Sequence, residues 1–373
     1  MSWKEVTIMS QRVEFINLAF QDGANISELC RRFKISRKTG YKFLNRYKTE
    51  GFKGLYDRSK KPRNSPYRTD KETENLILRI REKHPTWGGR KLKRRLEDLG
   101  YDHIPSPSTI TTILQRHDKI SMQESRKRQA FRRFCAKRPN DLWQMDFKGQ
   151  FQARDGTCYP LTILDDHSRF SPCIAACSDQ KKETVKEQLE KVFMAYGLPL
   201  AMLVDNGSPW GDHAESIHTK LTVWLMRLGI RVIHSRPYHP QTLGKEERFH
   251  RTLKEDVITD CSYRTIGECQ DLFDRWRRIY NRERPHQALK MQVPALSYKM
   301  SHRRFPDRLP EIEYHENDIV RKVHDKGEIS LRNKAYKVGR AFIGQNVAIR
   351  PTNKFNVFDV YFINHKIKQI TMT

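Results

Sequence analysis

The 373 residues include 71 Lys and Arg against 44 Asp and Glu, a formal charge of +27, and the pI is about 9.9. That imbalance raises the local concentration of phosphate groups and makes binding to nucleic acid nearly unavoidable. No apolar run approaches the roughly 20 residues of a membrane span, the start lacks a secretory signal pattern, and seven scattered cysteines without a Cys-x-x-Cys pair fit reduced thiols better than disulfides or zinc. The expectation is a soluble, intracellular chain of several domains.

The first segment, 1–57, is helical in pattern. Residues 11–20 form one helix, Asp22-Gly23 turns the chain, and Ile26, Leu29, Cys30 and Phe33 mark the apolar stripe of a second. Ser36 then caps a third helix over 37–47. This is the helix-turn-helix layout, with Arg37, Lys38, Thr39 and Lys42 placed to face a major groove. A helical bundle with a solvated basic face would read the same way.

A basic linker, 58–68, leads into a second helical segment, 69–120. There Thr69 and Glu72 make a capping box for a helix to about His84, residues 90–99 resume as helix, and Ser106-Pro107 opens another over 108–116. The connector 121–138 contains Arg126-Lys127-Arg128 and Arg132-Arg133. It either tracks a phosphate backbone or is a solvated linker.

From 139 to 300 strands and helices alternate. Asp146 lies inside the run Trp143-Gln144-Met145-Asp146-Phe147, where a carboxylate is costly unless something pairs with it. Arg154-Asp155-Gly156 signals a hairpin, 158–164 and 170–176 read as strands, and 182–196 is an amphipathic helix stopped by Gly197 and Pro199. Asp205 stands where the strand 201–204 ends at a turn, with Asp165 and Asp166 before another turn. A helix over 214–228 and a strand over 230–234 complete a ribonuclease-H-like order of elements. Glu247 opens a helix on which Arg251 and Lys254 follow at i+4 and i+7, so the three share one face, while Lys245 precedes the helix and meets solvent or distant DNA. Three carboxylates brought together would repel, and divalent cations are the common remedy.

Beyond 300 the pattern changes to short strands at 318–323, 328–331, 335–338, 345–350, 357–363 and 367–370, as in a small barrel.

Trp143-Gln144-Met145-Asp146, Leu203-Val204-Asp205-Asn206-Gly207, the stretch from Arg236 through Pro240-Gln241-Thr242-Leu243-Gly244-Lys245-Glu246-Glu247 to His250, and Tyr280-Asn281-Arg282-Glu283-Arg284-Pro285-His286 together resemble the integrase core of bacterial insertion-sequence transposases, kin to retroviral integrases. The resemblance implies a ribonuclease-H-like α/β core, preceded by all-α helix-turn-helix modules and followed by an SH3-like β-barrel, 301–373, that contacts DNA, assembles subunits or merely caps the core. It implies that Asp146, Asp205 and Glu247 are catalytic and bind two Mg²⁺ ions, with Mn²⁺ able to substitute. Glu247 is preferred to Glu246 because the family's acid comes three residues after the glycine, here Gly244. Tyr238 and Gln241 would contact target or donor DNA, and Arg251 and Lys254 the scissile strand. The implied activity is cleavage of element ends and strand transfer, by a homo-multimer on double-stranded terminal repeats and target DNA in the bacterial cytoplasm and nucleoid. A domesticated regulator with an unused core is the alternative.

Overall fold

The computed structural model describes residues 7–59, 69–120, 135–211, 217–235 and 244–371. Contacts divide the chain into two compact units, Met1–Arg68 and Thr69–Thr373.

In the first unit, α1 (Ile8–Ala19), α2 (Ile26–Arg32) and α3 (Arg37–Glu50) surround Phe15, Ile16, Cys30, Phe43, Leu44 and Leu55. α1 begins earlier than expected because Thr7 and Ser10 form a reciprocal capping box. Ser36 caps α3 by accepting from Thr39 N at 3.1 Å. α3 can approach α2 so closely because position 40 is glycine, where a Cβ would lie 2.5 Å from Cys30 Sγ.

The second unit opens with α4 (Lys71–Lys83), α5 (Gly89–Asp98) and α6 (Pro107–Arg116), packed around Ile77, Trp87, Leu92, Ile110 and Ile113. Asp70, not Thr69, caps α4: its carboxylate accepts from Thr73 N at 2.7 Å, and its negative charge suits a helix N-terminus better than a hydroxyl does. Ser106 with Pro107 opens α6 as the sequence indicates.

The central sheet has order β2-β3-β1-β5-β6, with β4 also on β3. Its strands are β1 (Trp143–Phe147), β2 (Phe151–Ala153), β3 (Gly156–Asp165), β4 (Cys173–Cys177), β5 (Ala201–Val204) and β6 (Arg231–His234). β1, β3 and β4 pair antiparallel; β1, β5 and β6 pair parallel. β2 is a short strand that the sequence did not separate from its hairpin. Between β4 and β5 lies α7 (Lys182–Tyr196), and between β5 and β6 lies α8 (Lys220–Arg227). α8 starts at its Thr219 cap rather than at residue 214; residues 212–216 are outside the described residues.

One face of the sheet carries Trp143, Met145, Leu161 and Ile163 against α7 and α8. The other carries Leu164 and Ile174 against α9 (Gly244–Asp256) and α10 (Ile266–Arg282), through Phe249, Leu253, Phe273 and Trp276. The helical segment before the core belongs to this unit: Ile279 of α10 packs on its core, and Arg95 pairs with Glu283 at 2.6 Å.

After the short α11 (Pro294–Ser297) the chain is all β: β7 (Ile319–Lys322), β8 (Glu328–Leu331), β9 (Lys334–Lys337), β10 (Asn346–Pro351), β11 (Val357–Phe362) and β12 (His365–Thr371). Rather than one closed ladder, they form a four-stranded antiparallel sheet, β12-β11-β10-β7, and a separate β8-β9 ribbon. Both enclose Val347, Ile349, Val360 and Phe362, and Val223 and Met226 of α8 join that cluster.

Gly197 ends α7 at φ 78° and ψ −175°, a conformation open essentially only to glycine, and a Cβ there would meet Arg303 O at 2.7 Å. Gly197→Ala is expected to destabilise the second unit by about 1–3 kcal/mol, read as a lower denaturant midpoint; an unchanged midpoint would contradict this account of the helix end.

Candidate active site

Strand alternation places Asp146. Trp143, Met145 and Phe147 turn into the α7/α8 core, so Gln144 and Asp146 turn toward α9. Across the antiparallel ladder Asp146 faces Thr162. Across the parallel ladder Gln144 is level with Leu203, and two more residues along each strand bring Asp146 level with Asp205, just past the end of β5. The sequence Asp205-Asn206-Gly207 makes the turn itself: Asp205 Oδ1 accepts from Gly207 N at 3.1 Å, and Asn206 Nδ2 donates to Ser235 O at 2.9 Å, tying in the end of β6.

The two acids feel each other. Burial, and then the charge of Asp205, push the Asp146 carboxyl up to about 6. Its side chain keeps 28% of its surface exposed, so the site remains open to solvent.

α9 presents two acids in succession, and the structure separates them. Glu246, Phe249, His250 and Leu253 form the buried stripe, whereas Glu247, Arg251 and Lys254 lie exposed at i, i+4 and i+7. Glu246, only 1% exposed, is raised by burial and by the charges of Asp146 and Asp205. Among the described residues no three or more His, Cys, Asp and Glu are placed so that they could hold a metal ion. The inward position of the helix's first turn falls at 246, so Glu247 stands one step round on the exposed face of α9.

Beneath Asp146 lies a small polar network. Thr162 Oγ1 is 3.0 Å from Asp146 O, 3.2 Å from Glu246 Oε1 and 2.7 Å from His250 Nε2. A hydroxyl has one proton and two lone pairs. If that proton goes to the Asp146 carbonyl, His250 Nε2–H and the protonated Glu246 carboxyl both donate to Thr162. The titration directions agree: burial, reinforced by the charge of Asp146, holds Glu246 well above the ordinary carboxyl range, and burial pushes His250 down to about 3, keeping it neutral. The 4.0 Å approach of His250 Nδ1 to Asp146 Oδ2 is then a contact with a neutral ring, not an ion pair.

Asp165 and Asp166 follow at the end of β3, both fully buried. Asp165 closes the turn, accepting from Ser168 N at 2.7 Å, Ser168 Oγ at 2.5 Å and Asn140 N at 2.7 Å. Asp166 does more than the sequence indicated: it takes the ammonium of Lys245 at 2.5 Å, and Lys245, with 13% of its side chain exposed, is drawn into the protein rather than meeting solvent.

Of the other expected DNA contacts, Arg37, Lys38 and Lys42 are exposed on α3 with Tyr41 between them, but the Thr39 hydroxyl is 2.9 Å from Ser36 Oγ in the helix cap. Arg132, Arg133, Tyr238 and Gln241 lie outside the described residues. Sequence reasoning weighed Glu246 only as the alternative to Glu247, and missed Thr162, His250 and Gln144. The alternation that exposed Asp146 also put Gln144 on its face, and i, i+4 spacing linked Glu246 to His250.

Two integrase core domain models match residues 136–240 and 228–294. Residues 318–373 match the C-terminal domain of IS481 family transposases, 11–63 a helix-turn-helix domain and 39–114 a homeodomain-like domain. Similar curated proteins include the uncharacterized 39.2 kDa protein of insertion element IS476 from Xanthomonas euvesicatoria, 26% identical over 54% of this chain and 58% of its own length. The uncharacterized 31.7 kDa protein of insertion element IS407 from Burkholderia multivorans is 22% identical over 45% and 58%. The chain thus spans somewhat over half the length of these relatives. Among solved structures, the HTLV-2 integrase catalytic core domain in complex with magnesium aligns with 44% of this chain and 99% of its own at 14% identity, with a TM-score of 0.34. The sheet, its acidic strand ends and the core matches define a protein built on an integrase core. With the flanking matches and the named relatives, the chain is similar along most of its length to the integrase-core transposases and proteins of insertion elements.

Asp165→Ala should leave the amides of Asn140 and Ser168 buried without acceptors, at about 1–3 kcal/mol each. A thermal midpoint equal to that of the unaltered protein would show that Asp165 does not hold this turn.

Proposed function

We propose that the protein binds the terminal repeats of its element, cleaves at their ends and joins the freed 3′-OH to target DNA. The observation that carries this reading is that Asp146 and Asp205 stand level just beyond the paired residues of two parallel strands, where burial and then the charge of Asp205 raise the Asp146 carboxyl. Metal-dependent enzymes of phosphodiester chemistry hold their ions with oxygen ligands of this kind, and an all-carboxylate donor set suits Mg²⁺, with Mn²⁺ as a substitute. When bound, two such ions would supply activation of the attacking oxygen and neutralisation of the leaving one.

Asp146, Asp205 and Glu247 are the proposed ligands. Glu246 is enclosed and held by Thr162; a hydrated ion at a DNA surface needs an open carboxylate, which Glu247 offers. Glu247 also shares its exposed stripe with Arg251 and Lys254, so ligand and phosphate contacts would meet the same strand.

The remaining parts take up recognition. Arg37, Lys38 and Lys42 would read or track a major groove, with Thr39 fixing the start of their helix. The segment 69–120 would extend the site read on DNA. Arg132, Arg133, Tyr238 and Gln241 would lie along donor or target strands, and the β region from 301 would contact DNA or a second subunit. Holding two element ends at once requires a multimer, acting in the cytoplasm at the nucleoid. Among the described residues no helix is long and apolar enough to cross a membrane.

Asp146→Asn, Asp205→Asn and Glu247→Gln should each reduce Mg²⁺-dependent cleavage of an end-bearing plasmid about a hundredfold or more, while end binding stays near normal. Glu246→Gln, which mimics the neutral acid, should retain most cleavage. The reverse ranking of the two glutamates would move the third ligand to Glu246, and full activity of Asp146→Asn would sink the reading.

Recognition can be separated from chemistry. Removing residues 1–120 should abolish preference for element ends in competition binding and leave salt-sensitive, non-specific binding; retained preference would place recognition elsewhere. Lys254→Ala should lower the salt dependence of DNA binding by roughly one counterion, and an unchanged slope would remove Lys254 from the interface.

A further inference from the structure

Asp166 joins more of the chain than any turn requires. Its Oδ2 accepts from Ala136 N at 2.6 Å, and its amide donates to Leu142 O at 2.9 Å. Its carbonyl oxygen accepts from Lys245 Nζ at 3.0 Å and from the Arg169 guanidinium. Its Oδ1 takes two donors at once, Gln144 Nε2 at 2.7 Å and Lys245 Nζ at 2.5 Å.

Those last two donors are informative by position. Gln144 on β1 stands two residues before Asp146, and Lys245 on α9 stands two residues before Glu247. A single carboxylate oxygen therefore grips the strand of one proposed ligand and the helix of another at equal sequence offset. We propose that Asp166 is a positioning residue that sets the spacing between the Asp146 strand and the Glu247 helix through its bonds to Gln144 and Lys245. This rests on the metal-dependent reading above, and it adds two residues, Asp166 and Lys245, that touch neither metal nor DNA.

The chemistry fits a spacer better than a stabiliser. Burying an ion pair sacrifices hydration on both partners, and apolar replacements of whole pairs are often neutral or stabilising, whereas fixing register is a well-attested use of such pairs. Here Asp166 is fully buried and Lys245 keeps only 13% of its side chain exposed. A Lys–carboxylate bond of this length holds one distance, and Lys245 spends a second proton on the Asp166 carbonyl, which fixes the ammonium from two directions.

The test uses the full chain and Mn²⁺ alone as probe, with bound ion counted by electron paramagnetic resonance and folding followed by thermal melting. Lys245→Met should weaken Mn²⁺ binding about tenfold, as loss of supports to metal ligands does, and Lys245→Arg should restore most of it. The double variant Asp166→Asn with Lys245→Met removes both charges, so it should melt near the unaltered protein yet still bind Mn²⁺ weakly. If the double variant recovers melting and Mn²⁺ affinity together, or if folded Lys245→Met binds Mn²⁺ as the unaltered protein does, the pair is merely structural. Asp146→Asn separates the two claims. Loss of Mn²⁺ binding there with normal binding in Lys245→Met overturns only the positioning role; normal binding in Asp146→Asn overturns the metal reading and the positioning role with it.

Discussion

Repulsion between carboxylates at one end of the sheet is the constraint around which this molecule is organised. Asp146 occupies a mid-strand position where an apolar side chain would cost nothing, and its neighbour across the parallel ladder ends in a second acid. Burial and like charge together make the ionised pair unfavourable in the free protein, which is why the Asp146 carboxyl is pushed up to about 6. Divalent cations beside phosphate would compensate such a pair, and the proposed function assigns them that part.

The surroundings divide the labour of tolerating that charge. On the α9 side Glu246 is turned inward against Thr162, which also contacts His250, and burial raises its carboxyl, whereas Glu247 stays on the exposed face. On the far side of β3 the acids are satisfied outright, Asp165 by backbone amides and a hydroxyl, Asp166 by a lysine, a glutamine and an amide. Five acids thus lie within one region, and their roles follow from what each can find as a partner. Asp165 and Asp166, with full sets of donors, hold the chain, Glu246 is enclosed against Thr162, and Asp146 and Asp205 stand at neighbouring strand ends.

Much of this was legible in the sequence where the determinants are local. Alternation along Trp143 to Phe147 located the strand, Gly197 and Pro199 located the end of α7, Ser106-Pro107 the start of α6, and i, i+4, i+7 spacing the exposed stripe of Glu247, Arg251 and Lys254. What escaped depends on long-range partners. Lys245 reads as a solvent-facing cation until Asp166, 79 residues earlier, is placed beside it. Glu246 and Glu247 differ by one helical step, about 100°, and only the packing of Phe249 and Leu253 decides which of them turns inward. The cap of α4 moved from Thr69 to Asp70 because both residues can cap and the choice lies in the backbone path.

The central claim is that Asp146 and Asp205 form the floor of a divalent-metal site completed from α9. A crystal of the full chain grown with Mn²⁺ and recorded at the manganese absorption edge tests it most directly. The account predicts an anomalous peak within coordination distance, about 2.0–2.6 Å, of carboxylate oxygens from both Asp146 and Asp205, with Glu247 turned toward it. A saturating Mn²⁺ concentration that leaves no peak between the two aspartates would contradict it.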